Sequence, residues 1–113
     1  MKKILKITTD NKIKLLEAED HNSIYNAISN DMDSALDNFK TKKLGQDYYI
    51  IVSDDGYSRS LPVNYVGSDL YNDQSSNWHL ILGDIYIVKD NSSSYDGLTD
   101  EDILYLLKIL IPE

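Results

Sequence analysis

The sequence predicts an α+β domain: a mixed, mainly antiparallel sheet of four to six strands, a C-terminal helix packed on one face, and a short N-terminal helix. Three observations carry that expectation. Short β-forming runs recur at residues 3–7, 12–16, 48–52 and 78–88. The triplet Asp54-Asp55-Gly56 follows the third run, and Asp-Gly beside β-rich residues signals a hairpin because glycine adopts the positive φ such turns need. A capped apolar stripe begins at Thr99. The 113 residues are expected to form one domain, 1–113.

Taken in order, Lys3, Leu5 and Ile7 alternate with Lys2, Lys6 and Thr8, the period of a half-buried strand. Thr9-Asp10-Asn11 is turn chemistry, since Asp and Asn side chains bond their own backbone. Lys12 to Leu16 reads as a second strand, with Ile13 and Leu15 on one face and Lys12 and Lys14 on the other. Asn22 or Ser23 can cap a short helix with the stripe Ile24, Ala27 and Ile28, fraying near Asn30-Asp31. Residues 33–44 leave strand, helix and loop all open: Leu36 and Phe39 suit a helix, while Ala35, Asp37 and Phe39 alternate as in a strand. Lys40, Lys42 and Lys43 form a small basic cluster before Gly45.

Tyr48 to Val52 enters the hairpin at Asp54-Asp55-Gly56, and a short polar strand returns until Pro62, which lacks an N–H, ends it or places it at an edge. Asn64 to Leu70 looks irregular, and residues 72–77 form a polar loop. Trp78 to Val88 is the most apolar strand candidate, and its near-continuous character implies a central position with both faces covered. Gly83 inside it points to a bulge or a close backbone approach. Asp90 to Asp96 reads as a second loop. Thr99 then caps the last helix, with Asp102 three residues on in a capping-box arrangement. The acids Asp100, Glu101 and Asp102 suit the positive helix start, which explains them without a metal. Ile103, Leu106, Leu107 and Leu110 form the stripe; Leu104, Tyr105 and Ile109 widen it, so the helix is either enclosed or partly a contact surface.

Composition narrows the function. Hydrophobic residues make up 42% and charged residues 27%, which is globular rather than disordered. The absence of cysteine excludes disulfides, thiolate metal sites and a cysteine nucleophile. The basic start breaks its apolar run at Lys6 and Thr8, so neither a signal peptide nor a membrane span is expected, and a cytoplasmic location is the default. The net charge of −8 is uneven: residues 1–50 hold eight lysines and eight acids, residues 51–113 three basic residues and eleven acids. Such a half repels phosphate backbones, so duplex nucleic acid is not an expected partner; a basic protein surface is. Solubility alone also accounts for the charge.

Signals for catalysis are thin. His21 and His79 are the only histidines, no Gly-x-Ser-x-Gly elbow occurs, and the five glycines build no phosphate loop. No enzyme, cofactor or metal is expected. A polar binding site is placed at Arg59, Ser60 and Asn64, with the acids Asp54, Asp55 and Asp84 beside it. Arg59, the only arginine, can fork onto a carboxylate or phosphate, and Asn64 offers donor and acceptor past the rigid Pro62. The competing structural reading has Asn64 capping backbone groups and Arg59 paired with an acid.

Leu61-Pro62-Val63-Asn64, Leu82-Gly83-Asp84-Ile85-Tyr86-Ile87-Val88 and Gly97-Leu98-Thr99-Asp100-Glu101 together resemble a family of small uncharacterised proteins common in phages, plasmids and their bacterial hosts. The resemblance spans roughly 48–105, and residues 31–47 depart from the pattern, in which a strand follows a glycine. It implies a mobile-element setting and no particular activity. With the charge asymmetry and nine tyrosines, a residue type enriched at interfaces, the reading is a non-enzymatic protein-interaction module. Its acidic surface would meet a basic host protein, for instance a defence or nucleic-acid-handling factor. Leu104, Tyr105 and Ile109 would serve as interface, and a homodimer is a second use of that helix. The alternative is a small-ligand, nucleotide-type binder using Arg59 and Asn64.

Overall fold

The computed structural model describes residues 2–20, 23–32, 39–44, 47–53, 61–72, 81–91 and 94–110. Its elements are β1 (Lys2–Ile7), β2 (Ile13–Ala18), α1 (Ile24–Met32), β3 (Phe39–Leu44), β4 (Tyr48–Ser53), α2 (Tyr65–Asn72), β5 (Ile85–Asn91), β6 (Ser94–Asp96) and α3 (Asp100–Leu110). The six strands form one sheet in the order β2-β1-β5-β4-β3, with β6 paired to the far end of β5. Every pairing is antiparallel, so the parallel component of a mixed sheet does not occur among the described residues. No helix among them is long and apolar enough to cross a membrane.

The apolar strand is central, as its composition implies. β5 lies between β1 and β4, and Ile85, Tyr86, Ile87 and Val88 are all fully buried. Because side chains alternate across a strand, these residues feed two cores. Ile85 and Ile87 join Leu5, Ile7, Ile50, Val52, and Ile103 and Leu106 of α3. Tyr86 and Val88 join Ile4, Ile51, and Ile24 and Ile28 of α1. The sheet is thus covered by α3 on one face and by α1 on the other.

Five expectations change. β4 has β3 on one side and β5 on the other over Tyr48–Ile51, so both its edges are taken there by other strands; the Asp54-Asp55-Gly56 turn and the expected return strand lie outside the described residues. The hairpin partner of β4 is β3, from the stretch whose conformation the sequence leaves open and which carries the basic cluster Lys40, Lys42 and Lys43. The stretch after Asn64 is helical, not irregular: α2 starts at Tyr65, with Asn64 Oδ1 accepting the Gly67 N–H at 2.8 Å and the Asn64 carbonyl accepting the Ser68 N–H. The Trp78–Val88 run is not one strand. Gly83 has φ +84°, where an added Cβ would lie 2.9 Å from Leu61 Cδ1, and β5 begins only at Ile85. Beyond Val88, β5 continues to Asn91 and β6 pairs back on it where a loop was expected. Finally, at the start of α1, Ser23 donates its N–H and hydroxyl to Asp20 Oδ1, so Asp20 is the acceptor; Asn22 is outside the described residues.

The capping box at α3 forms as its spacing requires. Thr99 N–H donates to Asp102 Oδ2 at 2.9 Å, and Asp102 N–H donates to Thr99 Oγ1 at 3.1 Å. On the way into that helix the chain crosses the start of β1. Leu98 N–H bonds the Lys3 carbonyl at 2.8 Å, and a Cβ on Gly97 would stand 2.6 Å from that of Lys2, so only glycine passes there.

Candidate functional site

At the end of the sheet where β1 leaves and β5 enters, several chain turns meet. Thr8 Oγ1 accepts the Lys12 N–H at 3.0 Å and its own N–H reaches the Lys12 carbonyl, closing the β1–β2 turn, in which Asn11 takes φ +67°. The next amide, Thr9 N–H, donates to Asp84 Oδ1 at 3.0 Å. Gly83 N–H bonds the Pro62 carbonyl, and Asn64 Nδ2 donates to the carbonyls of Ile7 and Gly83 at 2.9 and 3.0 Å. These bonds fix β1, the Gly83 turn and the start of α2 to one another. They hold open a cleft of about 270 Å³ lined by Thr9, Asp31, Ser53, Pro62, Asp84 and Tyr86, together with Leu61 and Gly83.

The charged part of that cleft is built on one cation. Lys6 lies on the face of β1 that α1 covers, and its Nζ stands 2.6 Å from Asp31 Oδ2 and 3.5 Å from Asp84 Oδ2. The ammonium also sits 5.7 Å from the Tyr86 ring centre, and the Tyr86 hydroxyl donates to Asp31 Oδ2 at 2.6 Å. Burial pulls the Lys6 ammonium down, but bonding to Asp31 and the charges of Asp31 and Asp84 outweigh it, so its pKa is raised. Burial pushes Asp31 up, yet the hydrogen bonds from Lys6 and Tyr86 hold it below the usual carboxylate range. Burial, then the bond to Asp31, raises Tyr86. Two carboxylates share one lysine here, and the Asp84 side chain is 34% exposed against 13% for Lys6. Among the described residues the mouth therefore carries more carboxylate than ammonium and is rich in hydrogen-bond acceptors.

Of the residues expected in a site, the structure brings Asp84 into the cleft. Asn64 stands behind it, fully buried, with its side-chain donors and acceptor engaged by backbone, the arrangement of the structural reading in which it caps backbone groups. Arg59, Ser60, Asp54 and Asp55 lie outside the described residues, as do His21 and His79; Ser53 and Leu61, on either side of 54–60, line the cleft. Lys6, Asp31 and Tyr86 were missed. The available signal was Lys6 two residues from Ile4: the same strand face carries both, so a helix covering Ile4 must supply Lys6 with an acid. On α3, Leu104 and Tyr105 are 60% and 55% exposed, with the Tyr105 ring stacked on Tyr48 at 6.0 Å. Ile109 is partly buried and packs against the core beneath α3.

Among the described residues, four acids of the second half pair with lysines of the first. Asp96 pairs with Lys2 at 3.0 Å, Asp100 with Lys3 at 2.9 Å, Asp84 with Lys6, and Asp90 with Lys43. Asp102 takes Lys89 from its own half at 3.0 Å. The asymmetry along the chain is thus partly cancelled in space, and the surplus that matters chemically is local. Compared with protein families, curated proteins and solved structures, the chain finds no match.

Proposed function

We propose that this chain is a non-enzymatic protein-interaction module that receives a basic group of a partner in the cleft between Asp31 and Asp84. The observation that carries the reading is that two carboxylates share Lys6 at an open mouth. An arginine or lysine entering there meets unpaired acceptor capacity on Asp84 and adds the missing positive charge. The directions in which the ionisable groups are pushed support binding over proton transfer. Lys6 and Tyr86 go up and Asp31 goes down, so each keeps one protonation state near neutral pH, where a general base would need a pKa close to 7.

A nucleotide-type ligand fits this cleft less well, because its phosphates would face Asp31 and Asp84. The mobile-element setting implied by the resemblance would make the partner a basic host factor. The test is titration of the isotope-labelled protein with an oligoarginine peptide, followed by amide NMR at low and high salt. Salt-sensitive shifts at Thr9, Asp31, Gly83 and Asp84, absent in Asp84→Asn, support the reading; shifts confined to other surfaces, or none, refute it.

A further inference from the structure

We infer that β2 pairs with the β2 strand of a second copy of this chain across a two-fold axis at Leu15, fusing two sheets into one. The inference stands apart from the cleft and rests on the backbone of an edge. Among the described residues β2 has a neighbour only on the β1 side. In an antiparallel ladder, residues alternately point both backbone groups at the partner strand and away from it. The phase is fixed here by the Thr8 N–H bonding the Lys12 carbonyl, with Lys6 opposite Lys14 and Ile4 opposite Leu16. Lys14 and Leu16 therefore face β1. Ile13, Leu15 and Glu17 present N–H and C=O outward. The Lys3 carbonyl agrees with this phase: it points away from β2, to Leu98.

The side chains select the occupant. Leu15 is 50% exposed in the middle of this edge, a large apolar group on a strand of six residues. Centring a two-fold on Leu15 sets Leu15 against its own copy, Ile13 against Glu17, and Lys14 against Leu16, so no like charges stand opposite. All three outward-facing residues then find backbone partners. A two-fold on Ile13 would oppose Lys12 and Lys14, one on Lys14 would oppose it to itself, and one on Glu17 would oppose two carboxylates. Centring on Leu16 engages only Leu15 and Glu17. The opposite edge, β3, reads Phe-Lys-Thr-Lys-Lys-Leu and carries the lysine guard that discourages edge pairing; β2 exposes leucine instead.

The experiment is sedimentation velocity over a concentration series with the intact chain, Leu15→Lys, Leu15→Glu, and an equimolar mixture of the two variants. Leu15 is half exposed, so both substitutions leave the cores intact, which circular dichroism verifies. The intact chain is expected to dimerise with rising concentration, each variant to stay monomeric at concentrations where the parent is dimeric, and the mixture to regain a dimer. A parent monomeric at every soluble concentration overturns the inference. So does a dimer that survives Leu15→Lys, or a mixture that stays monomeric.

Discussion

The fold uses the same three residue types at both ends of its sheet, to opposite effect. At one end Asp102 meets Tyr48 and Lys89; at the other Asp31 meets Tyr86 and Lys6. Asp102 is buried and takes the Thr99 N–H and hydroxyl, the Tyr48 hydroxyl at 2.8 Å and the Lys89 ammonium. One carboxylate there absorbs every donor, so nothing is left for a ligand. At the other end a second carboxylate, Asp84, joins the same lysine and the cluster opens into a cleft. The difference between the two ends is surplus acceptor capacity at an opening: Asp84 keeps it in the proposed site, while Asp102 gives its own to neighbours as a structural lock.

The largest test of that contrast removes the lock. Asp102→Ala removes the carboxylate half of the α3 capping box and leaves Lys89 and Tyr48 without their acceptor, so urea unfolding should show a loss of about 3 kcal/mol or more. The same denaturation on Asp84→Ala should show a small fraction of that; equal losses at the two ends would erase the distinction. Next comes acid. Burial pushes Asp102 up, but the Thr99 amide, Tyr48 and Lys89 bring it down to about 2 from an ordinary 3.8. A carboxyl depressed in the folded state adds stability that is complete above about pH 4 and disappears as pH falls toward 2. Chemical denaturation between these values should therefore lose on the order of 2 kcal/mol. Asp102→Asn should flatten that slope.

Smaller effects probe the open end. Tyr86→Phe removes one donor from Asp31 and should cost about 1 kcal/mol, with the Asp31 carboxyl titrating at higher pH by carbon-detected NMR. An unmoved Asp31 would mean the hydroxyl bond is not made in solution. Smallest of all in stability is Asp84→Asn, expected within about 0.5 kcal/mol of the parent by urea titration while abolishing oligoarginine binding. If binding survives, the cleft is not the acceptor.

What the sequence made legible was local. The Thr99–Asp102 box, the β1–β2 hairpin and the central place of the Ile85–Val88 run follow from spacing and apolar continuity over a few residues. What it hid was pairing at a distance. Asp54-Asp55-Gly56 looked like the turn of β4's hairpin, yet β4 pairs with a lysine-bearing strand before it and with β5 after it, and no periodicity encodes that choice. α2 escaped notice because Gly67, a poor helix former, sits in its first turn. The site was half hidden for a similar reason. Alternation divides Lys6 from Leu5 correctly but does not say that the lysine's face is the one α1 covers. Asp31, read as the frayed end of a helix, becomes a ligand of Lys6 only once that helix lies on the sheet.

The central position of β5 also dictates an order of assembly. Its neighbours, β1 and β4, belong to two hairpins made much earlier in the chain, and neither pairs with the other. Without residues 85–91 those hairpins have no strand between them, since each reaches the other only through β5. The late strand β5 thus acts as keystone, and sheet closure is limited by long-range loop closure.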